Sequence, residues 1–129
     1  MRITQFTKPK AIVTLVSATV FLVDANLILP YLGVELDAGG IFIARILGAV
    51  YLALGIDIWM ISGAGDFSSK TAHLYALAEI LAAVICVLAV ANNVLNAVGF
   101  VLAAAYALFA GGFYWVARIL SQQTTVAQS

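Results

Sequence analysis

The chain has 129 residues, 64% of them hydrophobic and 9% charged, with a formal net charge of zero. Soluble domains run at roughly 45–50% apolar and about 25% charged, and six basic and six acidic side chains are too few to cover the surface that a folded domain of this size leaves in water. A soluble enzyme, a disordered tail, a nucleic-acid binder with a basic face and a disulfide-stapled secreted module are excluded, which leaves an integral membrane protein.

A helix crossing about 30 Å of hydrocarbon at about 1.5 Å per residue needs roughly 20 apolar residues, and four runs qualify. The first spans Ala11 to Leu29, opened by Lys8, Pro9 and Lys10 and closed by Pro30, whose missing N–H suits a helix end. Its basic start and apolar core also resemble a secretory signal; Asp24, just before the small residue Ala25, favours a retained first span. The second run, Ile41 to Ser62, lies between Gly39-Gly40 and Gly63-Ala64-Gly65-Asp66. The third, Ala72 to Ala91, follows Ser68-Ser69-Lys70-Thr71, whose hydroxyls suit a helix cap. The fourth, Ala97 to Ala117, stops at Arg118 and is followed by the polar stretch Ser121 to Ser129. Only Asn92 to Asn96 separates the last two spans, with Asn93 suited to a left-handed turn and Asn96 to a cap, so these helices are expected to be antiparallel neighbours. The expected architecture is all-α: one transmembrane domain over residues 1–129, an antiparallel bundle of four transmembrane helices.

Orientation follows from lysine and arginine. Arg2, Lys8 and Lys10 precede the first span, Lys70 lies between the second and third, and Arg118 follows the fourth, so both termini are expected in the cytoplasm. Trp59, Tyr75, Tyr114 and Trp115 fall near that same face, where interfacial aromatics belong, and Tyr31 marks the opposite one. The loop carrying Glu35 and Asp37 reads as a solvated acidic connection.

A charge at membrane depth costs about 2.5–3.5 kcal/mol on insertion scales, so each one within a span is a site candidate. Asp24 lies five residues from the outer end of its run and Arg45 four from the outer end of the next. Their shared level suggests a structural ion pair, arginine offering a carboxylate a bidentate fork, or else an outer anion site built on Arg45. Asp57 and Glu79 lie five and seven residues from the cytoplasmic ends of the second and third spans, with no base inside the membrane there. Two carboxylates that share a site do not readily both ionise, a chemistry suited to a proton or cation site with His73 nearby; the alternative is that Asp57 reaches the headgroups or Lys70 and that Glu79 pairs with His73 or water.

One histidine, His73, makes neither a bis-imidazole haem site nor a zinc site, and one cysteine, Cys86, makes neither an intrachain disulfide nor a thiolate cluster. No serine stands in a nucleophile turn. No catalytic residue, metal or cofactor is therefore expected, and the chain reads as non-enzymatic. Small residues speak instead for helix packing: Ala44, Gly48 and Gly55 in the second span, and Ala103, Ala107 and Gly111 in the fourth.

Arg45-Ile46-Leu47-Gly48 followed by Leu52-Ala53-Leu54-Gly55, an arginine early in the second helix and two glycines a heptad apart, resembles the second helix of small DoxX-like four-helix membrane proteins. The resemblance implies a bacterial inner (cytoplasmic) membrane bundle, in some members linked to respiratory quinol-oxidase complexes. Two functions stay open: a bundle protein whose partners are the lipid bilayer and either its own copies, as a homo-oligomer, or a larger membrane complex; or a proton-coupled small-molecule or cation transporter, or ion pathway, using Asp57 and Glu79. Nucleic acid is not an expected partner.

Overall fold

The computed structural model describes residues 3–64 and 67–126. Among them every regular element is helical: α1 (Ile3–Asp24), α2 (Ala38–Ala64), α3 (Ser69–Ala91) and α4 (Gly99–Val126), with two short 3-10 turns, Ala25–Leu27 and Leu29–Leu32, between α1 and α2. All four helices are long and apolar enough to cross a membrane, and with the composition they mark an integral membrane protein. The chain falls into two compact units, Met1–Gly65 and Asp66–Ser129, each built as a helical hairpin.

Both ends of α1 depart from the expected run for visible reasons. α1 starts at Ile3 and carries Pro9 inside it. The proline removes one intrahelical hydrogen bond, while the added turns bury Thr7 and Lys10. At its other end α1 stops at Asp24 rather than Leu29: Asp24 is extended (φ −160°, ψ 105°) and its Oδ1 accepts from the Asn26 backbone N–H at 3.0 Å. A short acidic side chain competes with the helix for nearby N–H groups. The connection then closes on itself. Asn26 brackets Leu36, donating Nδ2–H to its carbonyl at 3.3 Å and accepting its N–H at 3.1 Å; Gly33 supplies a φ of 81°; and Asp37 Oδ1 accepts from Gly40 N–H at 2.7 Å to open α2. Asp37, expected only to solvate a loop, is thus a cap.

In the first hairpin the residues facing the partner helix recur at alternating spacings of four and three. On α1 they are Thr7, Ala11, Thr14, Ala18 and Phe21, continued by Ala25 in the turn that follows; on α2, Ala44, Gly48, Tyr51, Gly55, Ile58 and Ser62, and all but half-buried Phe21 and Tyr51 are buried. This is the heptad seam of paired helices, written mostly in small residues. The approach is closest at Gly48, where an added Cβ would stand 2.9 Å from Leu22 N and 3.0 Å from Ala18 O, and at Gly55, where it would stand 2.8 Å from Leu15 Cγ and Cδ2. Later residues of α2 meet earlier residues of α1, so the two run in opposite directions.

The second hairpin repeats the device. Ala72, Ala76, Glu79, Ala83, Cys86 and Val90 of α3 share one seam with Gly99, Ala103, Tyr106, Ala110, Phe113 and Ala117 of α4, every one buried or half-buried. The turn follows the asparagine pattern: Asn92 Nδ2 donates to Leu88 O at 2.8 Å, Asn93 is left-handed with φ 58°, and Asn96 Oδ1 accepts Val98 N–H at 3.0 Å. At the far end Ser68 caps α3 through the Thr71 N–H at 3.0 Å. Of the fourth-span residues expected to pack, Ala103 lies on the seam. Ala107 and Gly111 do not: both are exposed, and a Cβ on Gly111 would meet nothing within 4 Å. The four-residue stripe and the seam part after Ala103, where the seam steps by three.

The obstacle at Gly48 is helix backbone, which cannot swing aside, whereas at Gly55 it is chiefly a leucine side chain. We expect Gly48→Ala to cost about 1–3 kcal/mol through overpacking and Gly55→Ala less. Gly111→Ala should leave stability unchanged or raise it by up to about 1 kcal/mol through helix propensity. Reversible unfolding of the protein in mixed micelles measures all three.

Candidate functional site

The acidic residue that the fold encloses most among the described residues is Glu79. It is the eleventh of the 23 residues of α3, about 15 Å along the helix from Ser69, and only 8% of it is exposed. Measured from Ala72 it looked closer to one end of the span; the extra turn that Ser68 caps moves it to the middle. It is also the one acidic residue between 67 and 126, where the basic residues Lys70, His73 and Arg118 all belong to the end at which α3 starts.

Register places Glu79 opposite Ala110 on the seam, between a layer of Ala83 and Tyr106 and a layer of Ala76 and Phe113. The second of these layers is sealed by aromatic rings. Phe113 is fully buried; Tyr75 stacks on it at 5.2 Å between centroids and Phe67 at 6.1 Å, and Phe67 and Tyr75 are themselves 6.1 Å apart. The plug separates Glu79 from a polar cluster at the start of α3. There Ser69 Oγ donates to Ala117 O at 3.1 Å and lies 2.7 Å from Ser121 Oγ. His73 Nδ1 lies 2.8 Å from Ser69 O; a carbonyl only accepts, so Nδ1 carries the hydrogen. The His73 ring meets Tyr114 edge-on at 6.0 Å. Glu79 and His73 are six residues apart on one helix, which turns them to different faces: Glu79 points into the seam and His73 is exposed.

The α1–α2 hairpin treats its charges differently. Asp24 and Arg45 stand near one level, since Ala25 and Ala44 share a seam layer, yet among the described residues they form no ion pair. Asp24 spends its carboxylate on the Asn26 N–H, and Arg45 is exposed, one residue off the seam. Asp57 is likewise exposed, beside the buried Ile58. At the same end Lys8 Nζ sits 5.6 Å above the Trp59 ring, a cation–π contact of a size common at membrane interfaces. Asp57 belongs to one unit and Glu79 to the other, in opposite surroundings: one carboxylate exposed, one enclosed.

Two features were absent from the sequence expectations. The first is the aromatic plug, whose Phe67 and Phe113 carry no signal in hydropathy alone; the steps 99, 103, 106, 110, 113, 117 place Tyr106 and Phe113 on one seam. The second feature is an apolar groove of about 440 Å³ on the α3–α4 hairpin, near the turn, lined among others by Ala83, Val87, Phe100, Ala103, Ala104 and Ala107. Among the described residues no three His, Cys, Asp or Glu side chains gather as a metal site would require. Comparison with protein-family models, with curated proteins and with solved structures gives no match.

Phe113→Ala removes the centre of the aromatic plug. Its neighbours exchange ring contacts for lipid tails or a void, so we expect a loss near the lower end of the large-to-small range, about 3 kcal/mol, read by unfolding in mixed micelles. Tyr114→Ala, at an exposed ring, should cost far less.

Proposed function

We propose that the chain is a non-enzymatic membrane protein of the bacterial inner membrane, with both termini cytoplasmic, that acts by association, either with its own copies or as an accessory subunit of a larger membrane complex. One observation carries this reading: α4 has a second row of small residues, Ala104, Ala107 and Gly111, which its own hairpin leaves exposed. At Gly111 the backbone is bare, with room for a side chain and nothing occupying it. Lipid tails solvate large aliphatic side chains as well as another helix does, so bare backbone in mid-span favours close approach of a further helix. The orientation rests on the placement of Lys8 and Trp59, and of Lys70, Trp115 and Arg118, at the open ends of the two hairpins, away from their turns. The DoxX-like pattern of Arg45, Gly48 and Gly55 agrees with an accessory role.

Gly111→Leu tests this without disturbing the hairpin. We expect subunit counting by single-molecule photobleaching in liposomes to show oligomers for the unaltered protein and a shift to monomers, by about tenfold in the association constant, for the variant. A protein that is monomeric at every density in liposomes and migrates alone from native membranes would overturn the reading.

A second reading is favoured by the enclosure of Glu79 at the middle of α3. Carboxyl groups inside membranes mark ion and proton pathways, and on this reading the chain is a proton-coupled small-molecule or cation transporter, or an ion pathway, using Glu79 and Asp57. Glu79→Gln preserves size and removes the exchangeable charge. It should abolish proton-driven uptake into liposomes; uptake at the unaltered rate would sink this second reading.

A further inference from the structure

We propose that the open end of the α3–α4 hairpin binds the phosphate of an anionic phospholipid through Lys70, His73 and Arg118, with Tyr114 beside them. This goes beyond both readings of function and depends on neither. Helix geometry brings the four residues together. His73 of α3 meets Tyr114 of α4 edge-on, with 6.0 Å between ring centroids, which fixes one side of the hairpin at that level. Lys70 stands three residues before His73 on α3, and Arg118 four residues after Tyr114 on α4. Because the helices are antiparallel, both steps lead toward the same end, and spacings of three and four keep each basic residue beside its ring. All four side chains are exposed.

Hydrogen bonds hold the patch in place. Ser69 Oγ donates to Ala117 O at 3.1 Å and lies 2.7 Å from Ser121 Oγ, so the residues just before Lys70 and Arg118 are tied across the hairpin. His73 is anchored by Nδ1–H to Ser69 O at 2.8 Å. Nε2, across the ring, is the nitrogen left to meet a ligand, and in the charged imidazole it donates. The charge of the patch is of one sign: Glu79, the one acid between residues 67 and 126, lies in the seam beyond the plug of Phe67, Tyr75 and Phe113. The open end of the α1–α2 hairpin is mixed instead, with Lys8 over the Trp59 ring and Asp57 exposed. What is bound follows from where the patch stands. Lys70 lies in the first turn of a membrane-length helix, and Trp115, exposed next to Tyr114, is of the type that marks the membrane interface. The nearest phosphates are therefore those of the bilayer itself. Basic clusters at the ends of spanning helices recognise acidic headgroups, and a guanidinium offers a phosphate two parallel hydrogen bonds.

The test is native mass spectrometry of the full chain in detergent micelles, titrated with phosphatidylglycerol or with phosphatidylcholine, with circular dichroism confirming that each variant keeps its helices. We expect the first phosphatidylglycerol to bind about tenfold more tightly than the first phosphatidylcholine, and Lys70→Gln with Arg118→Gln to erase that preference. His73→Gln should reduce it by about threefold. Lys8→Gln with Arg45→Gln removes as much positive charge from exposed positions outside the patch and should leave the preference unchanged, as should millimolar inorganic phosphate. Equal binding of the two lipids, a preference that survives Lys70→Gln with Arg118→Gln, or one that is indifferent to His73→Gln would each overturn the proposal. An equal loss in Lys8→Gln with Arg45→Gln would reduce the preference to net charge and overturn it as well. Displacement of the lipid by inorganic phosphate would do the same, assigning the patch to a soluble anion.

Discussion

Everything in this molecule depends on how closely its helices approach. In water, helices are driven together by burying apolar surface; in a bilayer the surrounding tails are as apolar as leucine, and what remains is van der Waals contact and the hydrogen bonds that proximity permits. Both hairpins meet this constraint alike, with seams rich in small residues spaced by fours and threes, among which a few larger side chains such as Ile58 and Phe113 are enclosed, while most of the bulky aliphatic side chains turn outward. Val16, Val23, Phe42, Ile43, Leu74, Ile85 and Leu108 are all exposed, a pattern that would be a liability in water and is ordinary in lipid. Gly48 shows the limit of the device, because a single methyl would stand 3.0 Å or less from the neighbouring helix's backbone.

Against that background Glu79 is costly. A seam position that an alanine would fill carries a carboxyl at the middle of a membrane-length helix, where insertion is penalised by a few kcal/mol. Lys10 is buried too, toward the start of α1, and four other charges avoid that cost. Asp24 leaves the helix and caps a turn, Asp57 and Arg45 stay on exposed faces, and Lys8 rests on an interfacial tryptophan. A hairpin selected only for packing has no use for an acid at its centre, so the residue points to chemistry. The same seam that encloses it leaves a groove one turn away, since the alanines that let helices approach cannot fill the space where they diverge.

Much of this was legible in the residues and some was not, for identifiable reasons. The four spans, the asparagine turn and the glycine contacts of α2 follow from hydropathy and from side chains with a single strong backbone preference. Boundaries shifted where a local competitor intervened: Asp24 ended α1 early, and Ser68 started α3 a turn before the apolar run, which moved Glu79 to mid-span. The Asp24–Arg45 expectation had the level right and the azimuth unconsidered. An axial level can be counted from a span's end, but the face a residue presents depends on the seam, and the seam must be read at heptad spacing. Ala107 and Gly111 follow the four-residue stripe, whereas the line that α3 meets steps from Ala103 to Tyr106.

The divergence of the two rows carries physical content. Seven residues in two turns is an average of three and a half, so two rows that start together at Ala103, one stepping always by four and one alternating, separate progressively around the helix. Ala107 and Gly111 fall on the first and Tyr106, Ala110 and Phe113 on the second. α4 is thus small on two faces, one used by α3 and one lying along the border of the groove. A helix with two approachable faces can hold its own hairpin and still admit a neighbour. A helix docked along the bare row would cover Ala104 and Ala107, and with them one side of the apolar groove.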